Sequence, residues 1–503
     1  MRLDCNRWKL GWRFSMLTIS VCVVVLSARA QPGAPPCPSV TIVDIIPESL
    51  SGESNMNCEP NLTVNPPDPS QIAASARLPE PMGRKLSVVF VSDDGGTTWS
   101  CRFTIPIETS PDVTLRFGGL SNTLYVAALR AYDPNKKNKF VTCRSNDFAN
   151  SQMESILDVK QEPLIDQPYI AAAMINQRDR VFVGVDDWNG PPGRTAAIVR
   201  SLDGTGNPPS LDFMSVPIEF DSPERDNSEI RPAISADGHK VYAVFNRVIS
   251  INGKTRVGDV ILVRDDDGGN SGAASFTALH DQNGVAGFPA VKARTFLFDA
   301  DNFPALLGRQ RLGGDLAIAV DPRNADKVYL VWGERVNDQP ALRVIYSDNA
   351  GTNWSSTLRT VMNAINPGLA INTKGTLAFL YQQMTTDAGG EEFWTTQLEL
   401  TKDDFKNIDP FTLSRFPASE LDSTGGQTIF GQPRLGDYLH LLAMGNDFYG
   451  IFSASNVPDQ SRFPCGVTFQ RHTNFTTKKL LDQQNANEVP SSVDPFFFKV
   501  TEQ

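Results

Sequence analysis

The sequence predicts an all-β chain built from seven repeated units of four strands each, and three observations carry that expectation. Short runs rich in β-branched and aromatic residues recur, such as Val241-Tyr242-Ala243-Val244-Phe245 and Val328-Tyr329-Leu330-Val331-Trp332, a composition that suits a pleated, buried surface. Roughly twenty residues after each run comes an acidic turn, usually with glycine. About ten residues before most of them lies another apolar strand that opens on a charged or amide residue.

The clearest turn is Ser92-Asp93-Asp94-Gly95-Gly96-Thr97-Thr98-Trp99. Leu86-Ser87-Val88-Val89-Phe90-Val91 leads into it as a strand, Asp94-Gly95-Gly96 tolerates positive φ, and Thr97, Thr98 and Trp99 begin the return strand. Asp93 is expected to tie the turn to its own backbone donors, and Trp99 to pack between sheets. A near copy is Ser347-Asp348-Asn349-Ala350-Gly351-Thr352-Asn353-Trp354, preceded by Leu342-Arg343-Val344-Ile345-Tyr346.

In chain order, unit one pairs Ile72-Ala73-Ala74 with the Ser92 turn, unit two Leu124-Tyr125-Val126 with Ser145-Asn146-Asp147, and unit three Val181-Phe182-Val183 with Ser201-Leu202-Asp203-Gly204. Unit four pairs Val241-Tyr242 with Asp265-Asp266-Asp267-Gly268-Gly269, and unit five Val328-Tyr329 with the Ser347 turn. Unit six offers Leu377-Ala378-Phe379-Leu380 before Lys402-Asp403-Asp404, and unit seven Phe448-Tyr449-Gly450-Ile451-Phe452 with a strand near Val467-Thr468-Phe469. The inner strands begin near Glu59-Pro60-Asn61-Leu62, Asp166-Gln167-Pro168-Tyr169, Glu229-Ile230-Arg231-Pro232, Asp315-Leu316 and Asn366-Pro367-Gly368. Adding the strand after each turn gives four per unit, the blade of a β-propeller arranged around a channel. The expectation is a single propeller over residues 55–503, with seven blades favoured over six and closure by pairing near its ends. Residues 31–54 form an N-terminal extension, and the lengths between 272 and 309 and between 405 and 432 are read as loop insertions.

The turn pattern Ser-x-Asp-x-Gly-x-Thr-Trp resembles the Asp-box, or bacterial neuraminidase repeat, of sialidase-like β-propellers. That resemblance puts the turns on the rim, as folding devices away from the channel.

Residues 1–30 carry Arg2, Arg7, Lys9 and Arg13, an apolar run from Phe14 to Leu26, then Ala28-Arg29-Ala30. This reads as a secretory signal peptide, an uncleaved anchor being the alternative. Its removal takes away five basic residues and one acidic one and lowers the formal charge from -11 to -15. A chain so acidic excludes nucleic acid as a natural partner and requires a locally basic pocket for any anionic ligand. The expected product is secreted, free of membrane after cleavage, and monomeric. Five cysteines remain, Cys37, Cys58, Cys101, Cys143 and Cys465; export permits disulfides, and Cys101 with Cys143 is the expected pair because they fall at similar places in successive units. With no CxxC and four histidines, neither metal nor cofactor is expected. Asn61-Leu62-Thr63, Asn353-Trp354-Ser355 and Asn474-Phe475-Thr476 match the N-glycosylation sequon.

Function is sought where inner strands begin, since those starts converge on the funnel mouth. The candidates are Glu59, Asp166, Glu229, Arg231, Arg311, Asp315, Arg434, Asp437 and Tyr438. Arg311-Leu312-Gly313-Gly314-Asp315 and Arg434-Leu435-Gly436-Asp437-Tyr438 share an Arg-Leu-Gly core with a nearby Asp, and Gln432-Pro433-Arg434 is aligned with Glu229-Ile230-Arg231. An equally plain reading has Arg and Asp pairing across neighbouring blades to tie the ring.

The sialidase resemblance implies an arginine triad on a sugar carboxylate, a Tyr nucleophile activated by Glu, and an Asp acid/base. Arg231, Arg311 and Arg434 would be the ligand-binding arginines beside Asp315 and Asp437, with Tyr438, Glu229 and Asp166 catalytic. The chain departs from the family's pattern: its only Arg-Ile-Pro-like tripeptide, Arg77-Leu78-Pro79, falls just before the first turn, and the family has six blades. Two readings emerge, an exo-acting glycoside hydrolase on acidic or other terminal sugars, and a non-catalytic propeller that binds glycan or protein.

Overall fold

The computed structural model describes Cys37 and residues 40–502, apart from 78–85, 109–111, 120–121, 131–138, 149–152, 159–164, 188–194, 207–211, 221, 223–226, 254, 298–314 and 420–434. The expected signal peptide, Arg311 and Arg434 therefore lie outside the described residues. The chain is all-β, with described helix confined to three-residue 3-10 turns such as Glu48–Leu50. No helix among the described residues is long and apolar enough to cross a membrane.

Six four-stranded sheets follow one another along the chain. Their inner strands are Asn61–Val64, Val113–Phe117, Ile165–Ile175, Asn227–Ile234, Leu316–Asp321 and Ala364–Ile371. Each sheet meanders outward through antiparallel neighbours. The second strands, which the sequence marked best, are buried on both faces: every residue from Val241 to Val248 is inaccessible. Phe182 and Ile198 of the third sheet pack with Val241, Ala243 and Phe245 of the fourth in one apolar layer. Sheets covered on both faces read as continuous apolar runs, because neither set of alternating side chains meets water.

A seventh sheet has five strands. His440–Met444 and Asp447–Ser455 are followed by Val493–Val500 from the C-terminal end, Val40–Asp44 from the N-terminal end and Thr468–Phe469 at the edge. Val40 lies opposite Val500 and Asp44 opposite Phe496, antiparallel, so the two ends of the described chain share one sheet, and the stretch expected as an extension supplies one of its strands. A separate three-stranded sheet, Thr473–Asn474, Lys479–Leu481 and Glu488–Val489, lies in the connection between them.

Three expectations need correction. The disulfide joins Cys37 to Cys465, and Cys101 and Cys143 remain thiols. Cys101 lies in the fourth strand of the first sheet and Cys143 in the third strand of the second, so similar sequence positions are not similar sheet positions. The lengths read as insertions contain outer strands, Phe288–Leu297 of sheet four and Asp409–Pro417 of sheet six. Finally, Asp94, not Asp93, ties the first turn. Asp94 Oδ1 accepts from the amides of Thr97 and Thr98 at 3.0 and 2.8 Å, and Ser92 Oγ accepts from Gly96 N at 2.9 Å. Asp93 instead faces solvent and pairs with Arg102.

The same turn recurs with substitutions. Ser347 and Asn349 take the parts of Ser92 and Asp94, as do Thr401 with Asp403 and Asp265 with Asp267. The Trp99 ring packs 5.3 Å from that of Phe497, tilted by 57°, and donates to Gly96 O at 3.0 Å, packing the turn against the sheet that the chain ends form.

Candidate functional site

The inner strands lie side by side in succession, and His440–Met444 returns to Asn61–Val64. Hydrogen bonds between them join start to start. Leu115 N donates to Asn61 Oδ1 at 3.2 Å, Leu316 N to Glu229 Oε2 at 2.8 Å, Asn366 N to Asp315 Oδ2 at 2.7 Å, and Asn366 Nδ2 to Gly436 O at 3.0 Å. The inner strands thus begin on the same side as one another. The acidic and amide residues at those starts join neighbouring sheets through backbone groups, while Arg311 and Arg434, the arginines of the Arg–Asp pairs that the sequence suggested, lie outside the described residues.

Five of these starts also carry a left-handed residue. Glu59 (φ 57°), Gln167 (φ 42°), Glu229 (φ 92°), Asn366 (φ 52°) and Gly436 (φ 96°) occupy one equivalent position. Only the last is glycine, and there a Cβ would come within 2.4 Å of Glu59 N. The pairing with the second strand shifts between Asp166 and Tyr169, between Asn227 and Arg231, and between Ile365 and Gly368. Such bulges re-aim the side chains just after them, and strained φ values of this kind collect at functional sites. Two residues past the left-handed position stand Asn61, Tyr169, Arg231, Gly368 and Tyr438, so Gly436-Asp437-Tyr438 of the seventh sheet corresponds to Glu229-Ile230-Arg231; Gln432-Pro433-Arg434 lies outside the described residues.

Tyr169, Arg231 and Tyr438 come together. The Arg231 guanidinium carbon lies 4.4 Å from the Tyr169 ring centre and 5.8 Å from that of Tyr438; the two rings meet edge to face at 6.4 Å. Arg116, from the second inner strand, stands 5.6 Å from Tyr169 on its own account and donates to His440 Nε2 at 2.5 Å. Burial and the charge of Arg116 push the His440 imidazole well below its usual range, so it is neutral. Arg116 Nη1 is held by Asn61 Oδ1 at 2.9 Å and the carbonyl of Leu62 at 3.2 Å. Arg231 differs: it is 5 % exposed and makes no hydrogen bond or ion pair with any described residue.

Behind Arg231, toward the strand starts, lie the carboxylates. Burial, with Asp437 adding to it, raises Glu229 to about 7 despite the opposing charge of Arg231. Burial and Glu229 raise Asp315 well above the carboxylate range. Glu229 Oε1 and Asp315 Oδ1 find no partner among the described residues. Gln167 Nε2 donates to Asp437 Oδ2 at 3.5 Å, and Asp166 Oδ1 accepts from the amide of Gln167. The acid beside the Tyr438 hydroxyl is Asp112, at 3.4 Å; burial and that carboxylate push the phenol well above its ordinary range.

A cavity of about 310 Å³ opens on the other side of Arg231, toward the strand ends. Its polar lining is Thr63, Arg116, Tyr169, Arg231 and His440, and no described carboxylate lines it. The site therefore unites Arg231 and Tyr438, keeps Glu229, Asp315 and Asp437 behind them, and adds Arg116, Tyr169, His440 and Asp112, which the sequence reading did not single out as functional. No group of three or more metal-binding side chains occurs among the described residues.

No family model matches this chain, and no curated protein matches it. Among solved structures, an α-L-arabinofuranosidase from Fusarium graminearum aligns over 88 % of this chain and 92 % of its own at 8 % identity and a TM-score of 0.41. An α-L-arabinanase from Penicillium chrysogenum covers 90 % and 97 % at 11 % identity and 0.39, and an ulvan lyase 81 % and 90 % at 9 % identity and 0.46. At such TM-scores these likenesses assign no activity or site to this chain.

Proposed function

We propose that the seven large sheets are the blades of a single secreted, monomeric β-propeller whose central cavity binds the carboxylate of an acidic sugar. One observation carries this: Arg231 is buried at the floor of the cavity with no hydrogen-bonding partner among the described residues, in a chain of net charge -11. A buried guanidinium seeks a planar anion that two of its N–H groups can reach together. With Glu229 and Asp315 held toward their neutral forms, that charge is available to a ligand.

Binding is favoured over hydrolysis because, of the two carboxylates expected to be catalytic, Glu229 accepts a backbone amide of the neighbouring sheet behind the arginine, and Asp166 accepts the amide of its own neighbour Gln167 and does not line the cavity. Hydrolysis has one observation on its side, the Tyr438 hydroxyl beside Asp112, the pairing that a phenol nucleophile and its base would need. Titration with glucuronate and with glucose, followed by ligand-observed NMR, tests the first reading: glucuronate should bind and glucose should not, and Arg231→Gln should abolish the difference. Equal behaviour of the two sugars with folded protein would reject it. Release of a fluorescent leaving group from a panel of acidic glycosides, lost in Tyr438→Phe, would establish the second.

A further inference from the structure

The walls of the cavity are unlike its floor. Strand residues two apart share a face, so Ala233 follows Arg231 toward the channel, and Leu442 and Met444 follow His440. With Ile318 and Val320 of the fifth sheet, all five line the cavity, and all are half-buried, neither sealed into the sheet-to-sheet layers nor fully in water. The only polar side chains among the described lining residues besides the floor group come from Thr63, whose hydroxyl already accepts the amide of Phe117 at 3.0 Å. A sugar ring needs hydroxyl partners along its edge, and this wall supplies only the O–H of Thr63. Its offering is apolar surface, one strand-length deep, above a guanidinium.

We infer that the cavity takes an amphiphilic carboxylate, whose anionic end meets Arg231 and Arg116 and whose aliphatic or aryl portion lies along the wall of Ala233, Ile318, Val320, Leu442 and Met444, entering from the strand-end side. This rests on the carboxylate-binding reading above and narrows it: an acidic sugar would bind best with an apolar substituent directed into the channel. A cavity near 310 Å³ is at the small end of ligand pockets, which restricts the apolar portion to a short chain or a single ring.

Acetate, butanoate, hexanoate and hexan-1-ol are the probes, titrated into the full chain by ligand-observed NMR. Affinity should rise about three- to fourfold per added methylene, the equivalent of ~0.8 kcal/mol, and hexan-1-ol should bind at least tenfold more weakly than hexanoate. Arg231→Gln should erase the preference for hexanoate over hexan-1-ol. Ala233→Leu should remove the chain-length gain while acetate still binds; should it fail to fold, Met444→Gln, close in volume, should weaken hexanoate more than acetate. Carboxylates that bind through Arg231 with no chain-length gain would overturn this inference and leave the carboxylate reading standing. No binding of any carboxylate, glucuronate included, would overturn both, and hexan-1-ol binding as well as hexanoate would overturn the amphiphile assignment.

Discussion

Arg231 lies 4.4 Å from the centre of the Tyr169 ring, and that aromatic face is its nearest described counterweight in the channel. The ring offers negative quadrupole density without a hydrogen-bond acceptor, so it orients the guanidinium while leaving its N–H groups to a ligand. Tyr169→Leu should therefore weaken glucuronate binding by about two- to thirtyfold, on ~0.5–2 kcal/mol for a cation–π contact. Melting should change little, because Tyr169 is only half-buried. Unchanged affinity with a normal melt would show that the ring does not position Arg231.

The repeated second strands and acidic turns were legible in the sequence because each depends on local chemistry: apolar runs such as Val328 to Trp332 where both faces are covered, and short polar side chains such as Asp94 or Asn349 where a turn has amides to satisfy. The site was legible only in part. Arg231 and Tyr438 stood near strand starts, but Tyr169 was missed, because a left-handed residue re-aims the side chains after it and is recognisable only when it is glycine, and Arg116 was missed because it sits in mid-strand, away from the start. Glu59, Gln167, Glu229 and Asn366 adopt that conformation without being glycine, so the register of facing side chains changes with no mark in the sequence. The outer strand Phe288–Leu297 was hidden for a related reason, since its pairing shifts twice and breaks the alternation that would have shown it.

Glu229 gives the fold an unusual pH dependence. Its carboxyl is raised to about 7, by burial first, with Asp437 raising it and Arg231, Arg294 and the Leu316 amide opposing; Asp315 is raised beside it, by burial and by Glu229 itself. A raised acid binds its proton more tightly when folded than when unfolded, so stability falls as pH rises between the ordinary glutamate value and about 7. Glu229→Gln keeps an acceptor for Leu316 N and removes the titration. The melting temperature of the wild type should decline from pH 5 to pH 8, and the variant's decline should be shallower. Parallel curves would assign the pH dependence to other groups, Glu53 first, since it too is raised to about 7 by burial and Asp494.

The first turn separates two adjacent aspartates. Asp94 accepts from two backbone amides and from the Thr98 hydroxyl, whereas Asp93 makes an ion pair with Arg102 at the surface. Asp94→Ala should cost ~1–3 kcal/mol through amides left without their acceptor. Asp93→Ala should cost no more than ~1 kcal/mol, as surface pairs do. Denaturant melts of the two variants decide the matter, and equal losses would contradict the assignment of the turn to Asp94. Neither change should alter glucuronate affinity, because the turns stand away from the cavity lining.

Arg471 links the two ends of the described chain. Its side chain is fully buried, donates to Asp494 Oδ2 at 2.8 Å and Glu53 Oε1 at 3.1 Å, and reaches the carbonyls of Ser51 and Glu53 at 2.9 and 2.5 Å. Asp44, at the end of the N-terminal strand, is raised by burial and by Asp494, with Arg471 opposing. One guanidinium thus serves three buried carboxylates from both ends of the chain. Removing one member of a buried ionic group costs more than the group contributes as a whole, because charge is left uncompensated. Arg471→Met, which keeps much of the volume, should destabilise the protein by ~3–5 kcal/mol. The loss should shrink as pH falls, where protonation of Glu53 and Asp44, both raised by burial, relieves the unbalanced charge. Hydrogen exchange should locate the damage: amides of Val40–Asp44 and Val493–Val500 should lose protection ahead of those in sheets two to six. Uniform loss across all sheets would show that closure is not a separable step, and an unchanged melt would show that these contacts do not hold the ends together.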